Sequence, residues 1–89
     1  MNEVEKQGIE ESLLAAVDYI AKAQAQLQDA VIIIEDEINQ LYIGRILTHQ
    51  KGASPEMFDL SEEKSCLLGI FEQMNKYAEQ LSLMASKYS

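Results

Sequence analysis

The side chains able to do chemistry are few in this chain. They are His49, Cys66, the acidic run Glu35-Asp36-Glu37 and three internal methionines, Met57, Met74 and Met84. With one histidine, neither a helical His pair for zinc nor the paired Glu-x-x-His units of a di-iron bundle can be assembled. Just ahead of a breaker-rich segment, His49 suits the last turn of a helix, where an imidazole complements the carbonyl end. A single cysteine makes no internal disulfide, which fits a reducing cytoplasm. Cys66 has no adjacent base to activate it and reads as a small packing residue beside an apolar stripe. Consecutive helical residues diverge, so Glu35, Asp36 and Glu37 cannot converge on one ion. They also lack the Asp/Asn alternation and the Gly of a calcium loop. They read as a solvated face, with docking to a basic partner surface as the functional alternative. Methionines adapt to varied ligands, but Met74 and Met84 at helical spacing read as core. No Gly-rich phosphate loop or nucleophile elbow is present. The expectation is therefore no catalytic, cofactor-binding or metal-ligating residue, and no enzyme.

The chain must then act through its shape and surfaces. Its 89 residues make one domain at most. Fifteen acidic residues face 7 basic ones, for a net charge of -8. That balance argues against nucleic acid, whose affinity rests on neutralising phosphates with Lys and Arg. It argues equally against an anionic membrane surface. An apolar content of 47% excludes a charged disordered tail. Met1-Asn2-Glu3-Val4-Glu5 lacks the apolar segment of a signal peptide. The run Ala30 to Ile34, as long an apolar run as any in the chain, is far short of a membrane span. A cytoplasmic location is expected.

One Pro and four Gly favour long helices over many short strands. Gln50-Lys51-Gly52-Ala53-Ser54-Pro55 is the one breaker-rich stretch. The expected fold is all-α: an antiparallel two-helix hairpin over residues 1–89, with a helix at about 3–49, a loop at about 50–58 and a helix at about 60–88. Leu13, Ile20, Leu27, Ile34 and Leu41 recur every seven residues, and Val17, Val31 and Ile38 fill the alternate positions. Gln24 and Arg45 are the polar exceptions in this heptad seam. Ala16, Ala23 and Ala30 run beside it and would let a second helix approach closely. Asn2 and Glu5 stand in capping-box spacing. Val31-Ile32-Ile33-Ile34 has strand propensity, but no Gly or Pro flanks it and the heptad runs through unbroken. For the second helix, Asp59 with Glu62 makes a capping box and Ser61 is a rival cap, which would put Glu62 and Glu63 in the first turn. Leu60 leads into Leu67, Phe71, Met74, Ala78, Leu81, Ala85 and Tyr88, a stripe that Ile70, Tyr77 and Met84 would widen.

A hairpin buries one stripe per helix, and the first helix has more than one. Ile32, Ile33, Tyr42, Ile43, Ile46 and Leu47 fall outside its seam, and Leu68 and Leu83 outside the second helix's stripe. The two helices also differ in length, at roughly 45 and roughly 30 residues. At about 25 cal/mol per Å², several exposed Ile and Leu side chains forgo several kcal/mol of burial. The chain is thus expected to complete a helical bundle through oligomerisation or a partner. Ile32, Ile33, Ile43, Ile46, Leu47, Leu68 and Leu83 are the candidate interface residues.

The stretch Lys51-Gly52-Ala53-Ser54-Pro55-Glu56-Met57-Phe58, followed after polar residues by Leu67-Leu68-Gly69-Ile70, resembles the small helical-hairpin co-chaperones of type III secretion needle subunits. Pro55, Glu56 and Phe58 match the order of that family's loop, and the likeness covers the loop and second helix. The resemblance implies a cytoplasmic, non-enzymatic role. Such proteins pair with a larger helical-repeat chaperone and hold a secreted subunit soluble before export. The alternative is a homodimeric four-helix-bundle adaptor or regulator, phage-encoded and directed at a host protein. Expected partners are thus a helical chaperone, a secreted subunit or a second copy, with no nucleic acid and no membrane.

Overall fold

Helix formation begins at Asn2, whose extended backbone and side-chain oxygen suit a cap. Its Oδ1 accepts the Glu5 N–H at 2.8 Å, and Glu3 and Glu5 lie in the first turn, where the dipole favours carboxylates. From there, in a computed structural model describing all 89 residues, α1 runs unbroken over Glu3–Leu47 and α2 over Pro55–Ser86. There is no strand. The β-branched run Val31 to Ile34 is helical, because the heptad through it buries Val31 and half-buries Ile34 against α2.

The α1 terminus lies a little earlier than the sequence suggests. Thr48 is the C-cap, and His49 sits beyond it with φ 57°. The Gln50 N–H donates to the Arg45 carbonyl at 2.8 Å and the His49 N–H to the Ile46 carbonyl at 3.1 Å. This pairing is a Schellman motif, with His49 in the left-handed place that glycine usually takes. His49 therefore does not lie in the last helical turn. It terminates the helix through its backbone, at roughly 1–2 kcal/mol of conformational cost for a residue with a Cβ.

The start of α2 is a clearer correction. The helix opens at Pro55, not near residue 60, and the expected loop of residues 50–58 shrinks to residues 48–54. Ser54 is the cap: its Oγ accepts the Met57 N–H at 3.3 Å. Pro55 needs no N–H partner at the first helical position, and its fixed φ is already helical. Asp59, Ser61, Glu62 and Glu63 consequently lie inside α2 rather than at its start. Read as a breaker, Ser-Pro marks a loop. Read as a cap, it begins a helix.

Arg45 explains its own exception in the seam. Its Nε donates to the Gly52 carbonyl at 2.7 Å, and its two terminal nitrogens donate to Gln50 Oε1 and to the Lys51 carbonyl at 2.9 and 3.1 Å. One guanidinium thus ties down the loop. Gln24, the other exception, donates across the seam to the Phe71 carbonyl at 3.2 Å. Lys64 Nζ lies 2.7 Å from Glu35 Oε1 and forms the ion pair between the helices.

The seam itself follows the heptad. Leu13, Ile20, Leu27, Ile34 and Leu41 lie half-buried against Leu60, Leu67, Met74, Leu81 and Tyr88, and Val31 is only 2% exposed. Ile70, Tyr77 and Met84 do not widen that buried stripe; all three are exposed, as is Cys66. Only Val31, Met57, Ala85 and Ser54 are buried. The rod measures 71 × 14 × 12 Å with a radius of gyration of 20.3 Å, where a compact chain of this length would have about 12 Å. Its accessible surface is 6689 Å², against about 5,200 Å² for a compact monomer of 10.0 kDa.

Candidate interaction surfaces

Heptad letters locate the outward residues. On α1, Leu13, Ile20, Leu27, Ile34 and Leu41 occupy d, and Val17, Gln24, Val31, Ile38 and Arg45 occupy a. On α2, Leu60, Leu67, Met74, Leu81 and Tyr88 occupy d, and Met57, Lys64, Phe71, Ala78 and Ala85 occupy a. Antiparallel pairing sets the g positions of both helices on one side of the seam and the e positions on the other. The surface depressions agree: Ile20, Gln73, Met74 and Tyr77 line one on the g side, and Glu10, Leu14, Ser82 and Ala85 line one on the e side.

The two flanks differ in charge. The e flank, with the b positions beyond it, carries Glu11, Asp18, Glu35, Glu72 and Glu79. The g flank, with the c positions beyond it, carries no charged side chain from Ile9 to Ile33 on α1 or from Cys66 to Met84 on α2. Its g positions are Ile9, Ala16, Ala23 and Ala30 facing Ile70, Tyr77 and Met84; its c positions are Ser12, Tyr19, Gln26, Ile33, Cys66, Gln73 and Gln80. Charge returns at the ends, with Glu5 and Lys87 at the open end and Glu37, Asp59 and Glu63 toward the loop.

A second apolar surface lies at the loop end. Tyr42, Ile43, Ile46 and Leu47 are exposed on the final turns of α1, Leu47 by 74%, and Phe58 is exposed by 66% on the first turns of α2. Tyr42, Ile46, Ala53 and Met57 line a cleft of about 380 Å³ there, with Arg45 and Gln50 on its polar rim.

The seven candidate interface residues are all exposed, and they do not form one patch. Ile43, Ile46 and Leu47 share the loop end. Ile32 and Ile33 lie about two to three turns earlier on α1, separated from them by Asp36, Glu37, Asn39 and Gln40. Leu68 belongs to the e flank, and Leu83 points away from the seam on the back of α2. Phe58 and the neutral flank were missed from sequence. Phe58 falls within the loop that the sequence suggests, and the flank exists only once two distant segments are laid side by side.

The reactive side chains are dispersed. Glu35 engages Lys64 while Asp36 and Glu37 face solvent, and nowhere do three His, Cys, Asp or Glu side chains group to hold a metal ion. No helix is long and apolar enough to cross a membrane. No protein-family model, curated protein or solved structure matches the chain.

Proposed function

We propose that this chain is a non-enzymatic protein–protein interaction module whose loop end docks a helical partner. The observation that carries the reading is the set of exposed apolar side chains at the loop end, Tyr42, Ile43, Ile46, Leu47 and Phe58, of which Tyr42 and Ile46 line an open cleft, with Arg45 and the Schellman turn fixing the adjoining loop. A patch of large apolar side chains on a preorganised support is what a partner helix needs, since little ordering entropy remains to oppose binding. In its most specific form the module is a cytoplasmic co-chaperone that keeps a secreted type III subunit soluble. The Ser54-Pro55-Glu56 start of α2, which carries that likeness, also has a local explanation as a cap, a first-position proline and an acidic first turn.

A photo-crosslinking residue at Ile46 tests the docking surface in the native cell. It should yield an adduct with a different protein, while the same probe at Asp29 on the back of α1 should not. Equal labelling from both positions would refute loop-end docking. For the co-chaperone form, a type III needle subunit should stay soluble when co-expressed with the hairpin and its helical-repeat chaperone, and should precipitate when Ile46→Glu replaces the wild type.

A further inference from the structure

We propose that the uncharged flank is the site where a second copy of this chain packs, forming an antiparallel four-helix bundle independent of the loop-end docking surface. Three observations select a second copy as the occupant. The first is self-complementarity. Ala16, Ala23 and Ala30 form a row of notches on α1, while Ile70, Tyr77 and Met84 form a row of knobs on α2. Both rows repeat every seven residues, about 10.5 Å along a helix. The hydrogen bond from Gln24 to Phe71 and the depression shared by Ile20 and Tyr77 place the rows within about one turn of the same level. A two-fold axis along the rod keeps every level and exchanges the helices. It sets Ile70, Tyr77 and Met84 of each copy over Ala30, Ala23 and Ala16 of the other.

The second observation is charge. A chain of net charge -8 meeting itself must limit juxtaposed carboxylates, and from Ile9 to Ile33 and from Cys66 to Met84 the g and c positions carry none; they return only toward the ends, as at Glu37 and Glu63 by the loop. A basic partner would leave its cations unanswered there. The third is area. From Ile9 to Ile33 the flank is about 36 Å long, and two helices wide it spans about 20 Å, or roughly 700 Å² per copy. The total of about 1,400 Å² lies in the range of stable specific interfaces.

Light scattering and sedimentation of the full chain test this directly. The wild type should have twice the 10.0 kDa chain mass at low micromolar concentration. Because Glu37 and Glu63 of both copies approach at the loop end, added salt should tighten the dimer. Tyr77→Lys changes an exposed side chain, so helicity should persist while the dimer weakens at least 100-fold. Ala23→Glu should do the same. Mixing the two variants sets the new Lys of one copy over the new Glu of the other, and should restore dimers that neither forms alone. A wild type monomeric at 100 μM would overturn the proposal. So would a Tyr77→Lys dimer of unchanged affinity, or a mixture that stays monomeric. Ile46→Glu should leave the dimer intact; loss of the dimer in that variant would move the interface to the loop end and overturn the assignment.

Discussion

The two flanks of the seam are built on the same helices and the same heptad, yet one is charged and the other is not. The e flank has Glu11, Asp18, Glu72 and Glu79 toward solvent and an ion pair between Glu35 and Lys64. The g flank has exposed Ile70, Tyr77 and Met84 beside alanines and neutral c positions beyond, with Lys22 Nζ at the outer edge 5.2 Å over the Tyr19 ring. If solvent covered both, nothing in the packing of the seam would require the difference. Charged side chains mark the surface that stays wet, because an apolar contact penalises an unpaired carboxylate by its desolvation. The uncharged strip on an acidic chain is the ground for proposing that this surface is covered.

The largest expected effect comes from beneath both flanks. Val31 is the least exposed side chain, and Val31→Asp places an unpaired carboxylate in the seam. It should destabilise the hairpin by about 3 kcal/mol or more. Both flanks should be lost together, read as a collapse of far-UV helicity and of dimer mass. If helicity survived while only the dimer dissociated, the seam and the flank would be a single interface, and the contrast between two surfaces over a common core would break.

How much of this could be read from sequence depends on the range of the signal. The seam was legible residue by residue, because Leu13 to Leu41 and Leu60 to Tyr88 each carry their own periodicity. Asn2 was legible as a cap because the partner is three residues away. Ser54-Pro55 is ambiguous in sequence because such a pair can lie in a loop or begin a helix, and the Ser54–Met57 bond decides for the helix. Ile70, Tyr77 and Met84 lie next to the seam on the wheel, so the sequence suggests that they widen it. The antiparallel register turns them outward to stand beside Ala16, Ala23 and Ala30. That juxtaposition joins residues 40 to 68 positions apart in the chain, so no local pattern could show it. The surplus apolar surface read from sequence is a quantity, and the structure locates it at the loop end and along the g flank.

A paired substitution sharpens the contrast between flanks at the next level of effect. Ile70 and Leu68 are two residues apart on α2, both exposed, and fall on opposite sides of the seam. Ile70→Glu should weaken the dimer at least 100-fold, about 2.7 kcal/mol at 25 °C. Leu68→Glu adds the same charge to the flank already bearing carboxylates and should change the dimer less than 3-fold. Sedimentation equilibrium on the two variants, with matched helicity, separates the flanks. Equal effects would mean that charge in general, rather than its placement, governs association.

The smallest effect concerns the charged flank alone. Glu35 and Lys64 approach to 2.7 Å, but their side chains remain 44% and 31% exposed. Water and salt screen such a pair, and holding two long side chains in one geometry opposes it, so the net gain is at most about 1 kcal/mol. Glu35→Gln keeps the shape and removes the charge. Thermal melting should show a loss of about 0.5 kcal/mol or less, shrinking further in high salt. Dimer affinity should not fall, because the pair lies on the flank opposite the proposed contact. A loss of several kcal/mol, insensitive to salt, would mean that Glu35 and Lys64 are shielded from water in the assembled protein. The charged flank would then be a covered surface too, and the absence of charge would no longer mark the interface.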